Sequence, residues 1–276
     1  MTNKKCSPKY KNKYNHTCFN YDSLVKIAES WNKSNKDKIR IIKNPNKLWD
    51  NINDKLHKYC DNRDETCWLN QNFIGIKLRE ELETSFKPKM PESWNKYPQE
   101  WLSTIDIEQV MKQYEEKYHD FKFIGPVPID FDSKSAFGMC IVNELCKLNI
   151  ETLKNNDINK IGIIFNTDPH YKSGEHWVAL YVDLKKGIYY FDSYGMKPPG
   201  EIVKLMERLE KQSKKSSHPI ESYYNDIRHQ YKGSECGMYS MNFIIEFLEG
   251  KSFDEIIQNI INDDMMNQKR FEFYRK

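Results

Sequence analysis

The sequence predicts a mixed α+β or α/β domain behind a shorter helical region, across 276 residues. Two observations carry that expectation. Between residues 96 and 276, stretches with helical periodicity alternate with short runs rich in β-branched and aromatic residues. That is the order of a sheet with helices, not of a bundle or a sandwich. Three prolines in KPKMPESWNKYPQEW, between Lys87 and Trp101, interrupt any helical pattern and divide the chain.

Residues 1–95 read as a helical accessory region with amphipathic helices over 21–31, 47–60 and 68–86. In LWDNINDKLHKYC, Leu48, Ile52, Leu56 and Tyr59 fall on one stripe. Residues 96–276 open with a helix over 103–118, for which Thr104 or Asp106 is the expected cap. FKFIGPVPIDF is extended, and one helix is expected through CIVNELCKLNIETL. Strands follow at 161–165, 176–184 and 187–191, the last two joined through LKKG as a hairpin. Residues 200–212 form a helix introduced by Pro198, Pro199 and Gly200. A strand over 223–230 leads to a helix beginning near Cys236.

Composition limits the function classes. Hydrophobic residues make up 38% and aromatics 13%, enough for a core. No run of about 18 apolar residues exists, and MTNKKCSPKYKNKYNH holds no apolar segment, so neither a membrane span nor a signal peptide is expected. The expected setting is cytosol-like, with reduced thiols. The seven cysteines contain no CxxC, and the nearest pair, Cys140 and Cys146, is expected on one helix, so no metal site is expected. No cofactor is implied. Residues 1–40 carry ten Lys or Arg against three Asp or Glu, whereas residues 96–276 carry 24 against 28. The basic arm offers weak nucleic-acid contact, although a solvated Lys- and Asn-rich surface explains it as simply.

Four polar residues stand where a thiol hydrolase needs them. Cys236, in GSECGMYSMNFIIEFLEG, falls at the first turn of a helix, where the dipole and unpaired amides favour a thiolate. Gly233 and Gly237 would permit a tight approach of backbone to substrate. His176 opens the strand in GEHWVALYVDL and can exchange a proton with the thiol. Asp192 ends the neighbouring strand, and antiparallel pairing would bring it to the sheet edge that holds His176. Gln230 precedes Cys236 by six residues and supplies an amide donor for an oxyanion. Its neighbour His229 is structural. His16, His57, His119, His170 and His218 show no comparable partners.

HWVAL, YYFDSYG and QYKGSECGMY together resemble the SUMO-specific (ubiquitin-like-protein-specific) and adenovirus cysteine proteases, and EWLSTIDIEQVMKQYE with Trp101 resembles their WLND-type helix. GEHWVALYVD, FDSYGMKPPGEIVKLMERLEKQ, IRHQYKGSECGMYS and INDDMMNQKRFEFYRK are similar to the African swine fever virus-type polyprotein proteases of large DNA viruses. The likeness covers residues 96–276 and implies a papain-like α+β fold with a helical N-terminal extension. It implies a catalytic set of His176, Asp192, Gln230 and Cys236, and a glycine channel walled by Trp101 and Trp177. The swine fever branch has Asn as its third member, where this chain has Asp192. The implied activity is cleavage of viral capsid or core polyproteins after Gly-Gly during virion maturation. The implied setting is the virion and the host cytoplasm, in viral factories. Deconjugation of ubiquitin or SUMO-like modifiers is the alternative.

Overall fold

The structure is a computed structural model that describes residues 5–10, 16–61, 64–215 and 218–276. Lys4, Lys11 and Lys13 of the expected basic arm lie outside the described residues. The chain forms two compact units, Met1–Met90 with Glu272–Lys276, and Pro91–Phe271. The last five residues rejoin the first unit, in place of a single cut at 95. Main-chain hydrogen bonds hold them there: Arg275 N–H donates to Pro88 O, and Met90 N–H to Arg275 O, both at 2.8 Å.

The first unit is helical, with α1 (Tyr21–Ser34), α2 (Pro45–Leu56), α3 (Glu65–Trp68) and α4 (Ile76–Glu83). Asn20 and Asn44 cap α1 and α2 by accepting from Ser23 N–H and Lys47 N–H. Trp31, Trp49, Trp68, Phe19 and Phe86 lie in its core. The helix expected over 68–86 is broken at Gly75, which caps α4 without a side chain. The Glu65 carboxylate is buried and accepts from Cys18 N–H at 2.9 Å, Trp49 Nε1–H at 2.6 Å and the Thr17 hydroxyl.

The second unit is α+β. Its elements are α5 (Thr104–Lys117), β1 (Phe121–Pro128), α6 (Asn143–Cys146), α7 (Ile150–Asn155), β2 (Lys160–Asn166), β3 (Trp177–Asp183) and β4 (Gly187–Phe191). They continue with α8 (Gly200–Ser213), β5 (Ser222–Tyr224), α9 (Cys236–Leu248), α10 (Phe253–Gln258) and α11 (Asp263–Gln268), and the chain crosses into the first unit within α12 (Arg270–Phe273). The sheet runs β1-β2-β3-β4-β5, with β1/β2 and β4/β5 parallel and the central pairs antiparallel. Both faces of the sheet are covered, so β3 is buried along its whole length. Val178, Leu180 and Val182 join Ile202, Leu205 and Leu209 of α8 in one core. On the other face Tyr181 stacks on Phe247, and Phe191 on Phe243, both from α9. That helix is buried all round except at Phe247, as a central helix must be to sit on a sheet.

Three local expectations differ. Ser103, not Thr104 or Asp106, caps α5, in a capping box with Asp106 as the reciprocal partner. The helix expected through 140–153 is two short helices separated by a turn. The strand expected over 223–230 stops at Tyr224. The Asn225 side chain takes over the pairing there, accepting from Asp192 N–H at 2.8 Å and donating to Asp192 O at 2.9 Å.

The expectation of reduced thiols also fails. Cys6–Cys18, Cys60–Cys67 and Cys140–Cys146 are disulfide-bonded. Cys140 lies before α6 and Cys146 at its end, so the pair does not share one helix as expected. The remaining thiol is Cys236, which is buried.

Candidate active site

The hairpin register decides which side chains meet. Ala179 pairs with Phe191, so His176, just before β3, and Asp192, just after β4, emerge at one edge of the sheet. His176 Nε2 lies 2.8 Å from Asp192 Oδ1. The imidazole is also hydrogen-bonded to Cys236, for which its remaining nitrogen, Nδ1, is available. Burial alone pulls the His176 pKa down. The hydrogen bonds to Asp192 and Cys236, and their negative charges, outweigh it and push the pKa up to about 9. With its pKa raised to about 9, this ring keeps its proton at neutral pH, between the Asp192 carboxylate and the Cys236 sulfur.

Cys236 is the first residue of α9, and no side chain caps that helix end. By contrast, α1, α2, α5, α10 and α11 are each capped by an Asn or Ser side chain. The open first-turn N–H groups of α9 leave partial positive charge beside the thiol, where an anion is stabilised.

Gln230 is fully buried and its amide is fixed at both ends. Ser193 Oγ donates to Oε1 at 2.6 Å, and Nε2 donates to Lys232 O at 2.7 Å. The N–H groups of His229 and Gln230 both donate to Ser193 O at 2.8 Å. Among the described contacts the second Nε2 hydrogen has no acceptor. His229 is a core residue, set edge-on against Phe191 and Tyr239, and burial holds its pKa below the usual value.

Several supporting residues were not singled out in the sequence. Asn225 clamps the backbone of Asp192, as described above. Tyr194 N–H donates to Asp192 Oδ1 at 2.8 Å, and the Tyr194 ring stacks on the His176 imidazole with centroids 4.7 Å apart. Gly195 turns the chain after it with φ +73°, and an added Cβ would stand 2.9 Å from the Ile227 carbonyl carbon. Only glycine fits that turn. The D-S-x-G spacing was the available signal for Ser193, Tyr194 and Gly195.

Trp101 and Trp177 line one cleft of about 480 Å³, together with Leu102, Pro126 and His170. Trp177 is 7% exposed and Trp101 46%. Trp177 Nε1 donates to Leu102 O at 3.1 Å, joining the two walls. A Cβ on Gly237 would meet Leu102 at 3.1 Å and Trp177 at 3.2 Å, so these walls close in beside Cys236. A Cβ on Gly233 would meet no other part of the chain, so the space beside it is open. His170 does have an acidic partner, Asp130, whose Oδ2 lies 2.6 Å from its Nδ1. It lines the cleft. No group of three or more His, Cys, Asp or Glu able to hold a metal ion occurs among the described residues.

Comparison with known proteins gives concordant results. Residues 132–275 match the family model described as the Ulp1 protease family, C-terminal catalytic domain. The chain is 36% identical to a thiol protease of Acanthamoeba polyphaga mimivirus, over 98% of this chain and 93% of that one. It is 31% identical to a cysteine protease of African swine fever virus, over 73% of this chain and 76% of that one. The same protein from another isolate bears the description SUMO-1 cysteine protease. The crystal structure of the African swine fever virus protease superposes with a TM-score of 0.70 at 24% identity, covering 99% of this chain and 96% of that one. That likeness shows the same fold.

Proposed function

The chain belongs to the Ulp1 protease family and is a viral cysteine protease, and from that premise we propose that it cleaves polyprotein precursors after Gly-Gly with Cys236 as nucleophile. One observation carries the assignment of roles. His176 touches both Asp192 and the one free cysteine, at an uncapped helix start.

In this reading the Cys236 thiolate attacks the scissile carbonyl carbon. The carbonyl π electrons move onto oxygen, and the resulting oxyanion is held by the Cys236 N–H and the free Nε2–H of Gln230. As the tetrahedral species collapses, the C–N bond breaks and the His176 imidazolium gives its proton to the leaving amine. A thioester remains. His176, now neutral, takes a proton from water, which attacks the thioester and returns Cys236 as a thiolate with a protonated imidazole. Asp192 stabilises the imidazolium and fixes its ring, aided by Tyr194 stacked on its face.

Asp192→Asn is expected to lower turnover by about tenfold, well short of the loss of a general acid-base. The amide carbonyl can still accept from Nε2–H, whereas the charge is gone. A loss exceeding that of His176→Ala would contradict this ranking.

The glycine requirement follows from Trp101 and Trp177. Two indoles enclosing an extended backbone leave no room for a Cβ, so glycine is selected by exclusion. Comparing kcat/KM for paired Gly-Gly-X and Ala-Gly-X peptides tests this. The wild type is expected to prefer Gly-Gly-X strongly, and Trp177→Ala to lower turnover and narrow that preference. Equal use of both peptides by the wild type would discard the channel. Ubiquitin and SUMO fusions in the same assay test the second reading, deconjugation, which the SUMO-1 description of one relative favours. The polyprotein reading places the enzyme in virions and the host cytoplasm.

A further inference from the structure

We infer that Asp263 is a positioning residue that aims the oxyanion-binding amide of Gln230, an inference that rests on the reading of Gln230 as an oxyanion donor. Between Gln230 and Cys236 the chain runs through an irregular loop, outside any helix or strand. It contains the exposed Tyr231 and a glycine, Gly233, with nothing around it. With Oε1 held by Ser193, the Nε2 end of the amide depends on its bond to Lys232 O, at 2.7 Å, so movement of this loop would turn Nε2 out of line.

Asp263, the first residue of α11, reaches across to this loop. Its Oδ2 accepts both Tyr231 N–H and Lys232 N–H, each at 2.9 Å. Its Oδ1 lies 3.1 Å from the Tyr239 hydroxyl, which is also 2.7 Å from Ile261 O. Burial and the Asp263 charge push the Tyr239 pKa up, so the phenol keeps its proton as a donor. The carboxylate thus pins the two amides that fix where the Lys232 carbonyl points, and that carbonyl in turn holds Gln230.

Serving the start of α11 does not require this carboxylate to be buried. Asp264 beside it is exposed, stands in the same first turn and serves the dipole equally well. Asn262 already caps the helix. Taking Asp263 out of water is unfavourable unless several charge-assisted hydrogen bonds offset it, and the bonds it makes converge on the oxyanion loop.

The test is a double-mutant cycle on a peptide the wild type cleaves. Asp263→Ala is expected to lower kcat about tenfold, a fraction of the ~10²–10³ of a whole oxyanion donor, with KM within about twofold. In a Gln230→Ala background the same substitution should cost almost nothing further, because the group it aims is gone. Alkylation of Cys236 should proceed at the wild-type rate, since the His176–Cys236 pair does not involve Asp263. Should the Ala variant fail to fold, Asp263→Asn carries the same cycle with a loss of about threefold. Equal losses in both backgrounds, or an unchanged kcat, would overturn the inference. A Gln230→Ala enzyme with normal kcat would instead remove the reading of Gln230 and leave the structural contacts without this role.

Discussion

Cys236→Ala is expected to abolish peptide cleavage, by at least about 10⁴-fold, because loss of a nucleophile leaves only binding and oxyanion stabilisation. The fold should survive. The side chain is buried at the first turn of α9, where removing one sulfur leaves a small gap and Ala is the best helix former. The disulfides sharpen the test. With six cysteines paired, the native protein should take up one equivalent of a thiol alkylator under non-reducing conditions, and Cys236→Ala none. Uptake of several equivalents by the wild type would refute the pairing. Turnover of the variant within tenfold of the wild type would refute the nucleophile.

The placement of the candidate site residues was legible because it depends on local pattern. The periods of β3 and β4 and the short LKKG connection set the hairpin register, which alone brings His176 to Asp192. The apolar face from Met238 onward set the start of α9, and so the position of Cys236. What escaped the reading depends on partners far along the chain. Nothing near Gln230 announces that Asp263, 33 residues later, will hold its loop, nor that Asn225 will replace a strand ladder at Asp192. The disulfides are local, with separations of 12, 7 and 6 residues, but thiols pair according to where folding leaves their backbones, and no CxxC spacing announces them. Some misses were readable after all. Asn149 accepts from Thr152 N–H as the cap of α7, and Asn followed by a new helical turn was a signal against one helix through 140–153. Gly75 was a comparable signal in the first unit.

His176→Ala is expected to be nearly as damaging as loss of the thiol, because one ring serves both half-reactions. In the proposed mechanism it protonates the amine on acylation and activates water on deacylation, each within the ~10²–10⁴-fold range of general acid-base catalysis. It also places a cation beside the Cys236 sulfur, so Cys236 alkylation should slow in the variant. The pH profile gives a second measurement. With its pKa raised from the ordinary 6.5 to about 9, His176 stays protonated through neutral pH. It loses its proton as the pH rises through about 9, and the leaving amine then has no proton donor. The wild-type kcat/KM should therefore hold from neutral pH upward and fall with a midpoint near 9. The same raised pKa means the folded protein binds this proton more tightly than the unfolded chain. Its contribution to stability is complete below about 6.5 and fades between there and about 9. Asp192→Asn removes one of the two charges that hold the proton, so the alkaline limb should move to lower pH while cleavage persists. An alkaline limb already falling near pH 6.5 in the wild type would show that His176 is not held between Asp192 and Cys236 as a cation. A limb that Asp192→Asn leaves in place would assign it to another group.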